Sequence, residues 1–193
     1  MDMLPLPGTT TSWSRIGLGC WAMGGEYWGH VEDVTSIKAM ECAVAKGINW
    51  FDTAPLYGKG HTDKLVGQFA KKHAIRIATK VGVRWDQGHA RSDLSPEHLR
   101  LDVTQSLRRL GVDHIDLLQV HWPCQNHTPL EETFGTLAKM QQEGLFTHLG
   151  VCNYTADALG QIHQITPIVT HQSPYSMIRR AYETTLAPHT TAL

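Results

Sequence analysis

The chain alternates short apolar runs rich in β-branched and aromatic residues with longer segments of helical periodicity, and this alternation runs nearly end to end. The expected strands are a short one in Arg15–Ala22, then Asn49–Asp52, Ile75–Val81, Ile115–His121, His148–Asn153 and Ile168–Gln172. Between them lie expected helices. Asp33 caps one bearing Ile37, Met40 and Val44 on its inner face, stopped by Gly47, and His61–Lys72 carries Leu65 and Phe69. Ser95 caps a third, with Pro96 in its first turn, Leu99, Val103, Leu107 and Leu110 facing inward, and Gly111 at its end. Thr128-Pro129-Leu130-Glu131 reads as a capping box for a helix with Leu130, Phe134 and Leu137 in its stripe, stopped by Gly144. A short helix over Thr155–Gln164 follows, and a last one begins near Met177. Gly88–Asp93 reads as a polar loop. Parallel neighbours need crossover helices, so strict alternation implies a parallel α/β sheet, either doubly wound or of barrel type.

The ends of the strands carry the chemistry. The runs finish at or beside Asp52, Lys80, His121, Asn153 and Gln172, and Pro55 and Gly58 bend the chain after Asp52 to bring Tyr57 onto the adjoining loop. In a parallel barrel the C-terminal ends of the strands form the active face. Each residue has an innocent reading: an Asp satisfying loop amides, a Lys paired with a neighbour, a structural His before Trp-Pro. Taken together they suit proton transfer. A phenol has a pKa of about 10. A nearby ammonium favours the phenolate and brings the acid closer to its task. Lys80 is the candidate ammonium, Asp52 its anchor, and His121 a group to orient a carbonyl oxygen. Asn153 and Gln172 are amides suited to a carboxamide ligand such as nicotinamide, and hydride chemistry requires such a cofactor.

Other functions find less support. Gly17, Gly19 and Ala22 match the spacing of a dinucleotide fingerprint, but Met23-Gly24-Gly25 breaks the helix that should follow, so the doubly wound reading fails on context. Net charge is −1 with scattered Lys and Arg, which speaks against a nucleic-acid or anionic-membrane surface. The longest apolar runs fall short of a bilayer span, and Met1–Thr11 does not read as a signal peptide. Cys20, Cys42, Cys124 and Cys152 form no CxxC pair, which suits a reducing cytosol. The twelve histidines include no HxH or HxxxH pair, so no metal site is expected.

The stretches Gly47–Gly58, Ala78-Thr79-Lys80, Leu110–Pro123, Gly150–Asn153, and Gln172 with Pro174-Tyr175-Ser176 resemble the aldo-keto reductases, and the likeness spans most of the chain. The resemblance implies a (β/α)8 TIM-type barrel that reduces an aldehyde or ketone with NADPH (NADH possible), without metal or flavin. It implies Tyr57 as general acid, Lys80 and Asp52 as its tuning pair, and His121 as the carbonyl-orienting residue. Asn153 and Gln172, beside Cys152, would hold the carboxamide, and Cys20-Trp21 would line the cofactor or substrate pocket. There are departures. Gly60-His61-Thr62-Asp63 stands where the family has Gly-x-Ser-Glu, and Cys152 where it has serine. About six of eight βα units are readable, so residues 1–193 are expected to form a single barrel domain incomplete at its C-terminus, lacking much of the phosphate-binding half. The partner expected is a small carbonyl substrate. A non-catalytic NADPH-binding or regulatory protein on the same scaffold, like the channel β-subunits, and an inactive truncated fragment are the alternatives.

Overall fold

The computed structural model describes residues 1–26, 28–125 and 127–190. Six parallel strands form one sheet: β3 (Leu18–Gly19), β4 (Trp50–Asp52), β5 (Arg76–Val81), β8 (Ile115–Val120), β9 (Phe146–Cys152) and β10 (Thr170–Gln172). Two antiparallel hairpins stand apart from it, β1 (Met3–Pro5) with β2 (Ser12–Ser14), and β6 (Val83–Asp86) with β7 (His89–Ser92). The sheet order is β10-β9-β8-β5-β4-β3, so its strands follow one another in chain order without reversal. A doubly wound sheet reverses its order at a switch point. Singly wound topology removes that alternative and leaves the barrel type.

The main helices are α1 (Asp33–Ala45), α2 (His61–Ala70), α3 (Pro96–Leu110), α4 (Leu130–Gln142) and α5 (Ala156–His163), with single turns at α6 (Tyr182–Thr185) and α7 (Ala187–Thr190). Their apolar faces and the outer faces of the strands share the main core, which includes Met40, Phe51, Val66, Leu99, Val103, Leu118, Phe134, Leu149 and Ile162. A smaller cluster of Trp13, Ala78 and Leu117, joined by Trp50 and Val169, fills the concave side. Two positions further along β4, β5 and β8 lie Asp52, Lys80 and Gln119. Side chains alternate across a strand with period two. One inner face is therefore apolar below and polar above, and Trp13 of β2 plugs the lower layer.

Several local expectations are corrected. The Gly88–Asp93 segment is no loop: Gln87 and Gly88 both have positive φ (46° and 83°) and form the tight turn of the β6–β7 hairpin. Two positive-φ central residues match the twist of paired strands, and glycine takes one of them without strain. Helix α1 buries Ser36, Met40 and Ala43, leaving Ile37 exposed, and its N-cap is Glu32 because Asp33 already lies in the helix. Ser95 sits at the N-cap of α3, but its hydroxyl donates to Asp93 Oδ1 (2.7 Å) and does not cap the helix. The capping box before α4 does not form, since Pro129 is the N-cap and the helix starts at Leu130, one residue late for Glu131 to reach back. No helix begins at Met177. Ser176 and Arg179 close a turn that leaves Met177 and Ile178 outward, and the next helical turn waits until Tyr182.

Candidate active site

Asp52 ends β4, Lys80 is the penultimate residue of β5, His121 and Asn153 follow β8 and β9 directly, and Gln172 ends β10. Because the strands are parallel and neighbouring, these residues converge on one rim. Lys80 is buried and donates to both oxygens of Asp52 (2.8 Å each) and to the carbonyl of Thr53 (3.0 Å). Its Nζ lies 4.9 Å from the centroid of the Tyr57 ring. Tyr57 is held in the loop between β4 and α2, packed edge-on to His121 (6.0 Å) and stacked against Trp21 (6.1 Å). Gly24 and Gly58 permit this loop to meet the Trp21 turn, since a Cβ on Gly24 would stand 2.5 Å from the Gly58 nitrogen.

Burial is the largest single influence on Lys80 and favours the neutral amine, but the surrounding groups, Asp52 foremost, together outweigh it and the pKa rises above the ordinary lysine value. The ammonium is therefore kept. Tyr57 differs from expectation. Burial raises its pKa, and Lys80 opposes that rise without overcoming it, so the phenol holds its proton. Burial, reinforced by Lys80, pushes His121 down to about 3 and leaves the imidazole neutral. A neutral phenol and a neutral imidazole beside a fixed ammonium form an electrophilic pocket for an oxygen that gains negative charge.

The two amides adjoin this centre. Asn153 adopts a φ of 64°, its Nδ2 donates to the carbonyl of His121 (3.2 Å), and its backbone N–H donates to Gln172 (3.0 Å). Gln172 Nε2 donates to Asp52 Oδ2 (3.4 Å), and the thiol of Cys152 donates to Gln172 Oε1 (3.4 Å). Paired amides at adjacent strand ends supply donors and acceptors of the kind a carboxamide ligand needs. Cys20 does not line the site. Its side chain is fully enclosed in the core, and burial raises its thiol to about 12, so its contribution is the backbone N–H that donates to the carbonyl of Asp52 (2.9 Å). Trp21 does line a cavity of about 370 Å³, with Glu26, Leu56, Trp85, His89 and Trp122.

Three contributors escape the strand-end pattern. Gln119 lies one strand repeat before His121, approaches Asp52 Oδ1 and Gln172 Oε1 (3.5 Å each), and accepts from Thr170 Oγ1 (3.2 Å). Period-two reading of Ile115–His121 would have placed it on the face of His121. Trp85 reaches the cavity from the unexpected hairpin, and Trp122 reaches it from the segment just after His121.

Residues 15–192 match the family model of the Aldo/keto reductase family, and the chain belongs to that family. It is 33% identical over 193 residues to the aldo-keto reductase YhdN of Bacillus subtilis, and 35% identical over 205 residues to the NADH-specific methylglyoxal reductase of Escherichia coli. These alignments cover 98% and 97% of the chain but 58% and 63% of the relatives. Among solved structures it superposes on the glycerol dehydrogenase AKR11B4 of Gluconobacter oxydans with a TM-score of 0.91 at 35% identity, covering 99% of this chain and 60% of that one. The holo form of the aldo-keto reductase AKR11C1 of Bacillus halodurans gives 0.84 at 29% identity. The six-stranded curled sheet is thus part of a TIM-type barrel, and the chain spans about 60% of its relatives' length.

Proposed function

We propose that the chain carries the acid–base centre of a carbonyl reductase that uses a nicotinamide cofactor, NADPH by the resemblance, with NADH open as the alternative. The observation that carries this reading is the Lys80 ammonium, bound at 2.8 Å to both oxygens of Asp52 and standing 4.9 Å from the Tyr57 ring centroid. A bound reduced nicotinamide would supply the hydride to the carbonyl carbon. The chain's residues serve the oxygen. Tyr57 gives its hydroxyl proton to the oxygen as charge develops there, and the resulting phenolate is left beside Lys80. Asp52 keeps Lys80 in place. Neutral His121 orients the carbonyl without competing as an acid. Asn153 and Gln172 hold the carboxamide of the cofactor.

The substrate in this proposal is a small aldehyde or ketone lying between Tyr57 and the cavity of Trp21, Trp85 and Trp122. Methylglyoxal is a reasonable first carbonyl because a relative is named for it. We place the protein in the cytoplasm, a reading supported by its dispersed cysteines. Among the described residues no helix is long and apolar enough to cross a membrane. The test is cofactor binding by tryptophan fluorescence, with NADPH and NADH separately, followed by consumption of reduced cofactor in the presence of methylglyoxal. Turnover lost on Tyr57→Phe supports the reading. Cofactor binding with no turnover of a broad carbonyl panel would favour a regulatory binding protein on the same scaffold.

A further inference from the structure

Asp63 is a fully buried carboxylate on α2, outside the inner face that carries the acid–base centre. Its Oδ1 accepts from Thr53 Oγ1 (2.9 Å) and Thr79 Oγ1 (3.4 Å). Thr53 immediately follows Asp52, and Thr79 immediately precedes Lys80. Its Oδ2 accepts from Arg109 Nε (3.1 Å) on α3, and Arg109 is steadied by Ser106 Oγ (2.7 Å). Space for this reach is built in, since a Cβ on Gly60 would stand 2.6 Å from Arg109 Cδ.

The arrangement does more than join two helices. The bond from Arg109 alone would tie α2 to α3, yet the other carboxylate oxygen is spanned by hydroxyls from two strand ends. The carbonyl of Thr53 is the third acceptor of the Lys80 ammonium, beside the two Asp52 oxygens. Its backbone N–H donates to the carbonyl of Ala78 (2.9 Å), so the Thr53 peptide bridges β4 and β5. Burial raises the Asp63 carboxyl, and Arg109 with Thr53 offsets part of that cost. A fully buried carboxyl group that pairs with Arg109 through one oxygen and spans both sides of an ion pair with the other has a positional role beyond packing.

We propose that Asp63 is a positioning residue for the Lys80 ammonium. From behind the sheet it fixes Thr53 and Thr79, and through the Thr53 carbonyl it sets where Lys80 stands relative to Tyr57. This rests on reading Lys80 as the partner of Tyr57, but its test does not need turnover.

The test follows the Nζ–H protons of Lys80 by NMR in the 15N-lysine-labelled chain, with Lys80→Gln to assign the signal. Exchange of those protons with water is compared across Thr53→Val, Thr53→Ser, Thr79→Val and Asp63→Asn. Backbone amide exchange serves as the control for general loosening. Valine keeps the shape of threonine but removes the hydroxyl, whereas serine keeps the hydroxyl. Thr53→Val and Asp63→Asn are expected to speed Lys80 Nζ–H exchange about tenfold, as the loss of one hydrogen bond to a charged group implies. Thr53→Ser is expected to remain at the wild-type rate. If Thr53→Val leaves that rate unchanged, or if Thr53→Ser raises it as much as valine does, the proposal is overturned. A folded Asp63→Asn at the wild-type rate overturns it as well, and should that variant fail to fold, Thr53→Val and Thr53→Ser decide the matter. A wild-type chain without reductase activity would count against the proposed function alone, because the lysine signal reports on positioning independently.

Discussion

Two opposing effects meet at Lys80, where the interior penalises an ammonium and a carboxylate at 2.8 Å demands one. The groups around Lys80, Asp52 foremost, together hold the ammonium against burial, and the consequence for Tyr57 is one of position more than acidity: the phenol stays protonated and the charge waits beside it. If Tyr57 is the proton donor, Tyr57→Phe should lower kcat by about 10²–10⁴-fold, the range for losing a general acid, with little change in KM. Cofactor-consumption kinetics would show this, with circular dichroism confirming an intact fold. A second prediction concerns pH. His121 is depressed from 6.5 to about 3, so the unfolded chain binds its proton first. That contribution is complete above about pH 6.5 and is lost as pH falls, at about 1.4 kcal/mol per pH unit. Asp102 runs the other way. Burial raises it from 3.8 to about 6, so between those values the folded chain binds more protons and stability grows as pH falls. The two slopes oppose each other between about pH 6 and pH 4. Relative to the unmutated chain, the urea midpoint of His121→Asn should therefore gain on acidification across that window, and that of Asp102→Asn should lose. Parallel behaviour of the two variants would refute this account.

At the scale of elements, α2 and α3 meet in a close seam behind the site. A Cβ on Gly67 would collide with the carbonyl group of Leu110, so the two helices approach as closely as their backbones allow. Gly67→Ala should destabilise the chain by about 1–3 kcal/mol through overpacking, measurable as a lower urea midpoint with unchanged slope. The seam also carries Asp63 and Arg109, so the variant should loosen the Lys80 surroundings as well. Elements with strong local signals were legible from sequence. Helix α3 has Pro96 in its first turn, an apolar stripe through Leu99, Val103 and Leu110, and Gly111 at a φ of 65° to end it. The β6–β7 hairpin was not legible, because the alternation of Val83–Asp86 lasts only four residues, its partner His89–Ser92 carries one apolar residue, and Gln87-Gly88 is a weak turn signature. The stripe of α1 was displaced by one position: Ser36 is buried where Ile37 was expected, a choice made by the neighbours of the helix.

For the whole molecule, the decisive feature is a curled parallel sheet with β3 and β10 as its edges among the described residues. Beside the small core of the concave face lies a cavity of about 680 Å³ bordered by Trp13, Trp50, Leu117, Val169 and Gln172. Exposed edges present unpaired backbone donors and acceptors and invite pairing with other chains. The 193-residue chain is therefore expected to associate as its concentration rises, measured by light scattering or sedimentation. A version extended by two βα units from a relative should remain monomeric across the same range and melt higher. Equal behaviour of the two would mean that the edges are already protected. The sequence by itself determined the alternation of strand and helix, and with it the parallel sheet and the row of polar residues at the strand ends, because periodicity and turn chemistry are local. Only the tertiary structure decided that Lys80 lies on both oxygens of Asp52, that burial outweighs it at Tyr57, and that Asp63 reaches Thr53 and Thr79 from behind. Those outcomes depend on distance and desolvation between segments far apart in the chain, which no local pattern encodes.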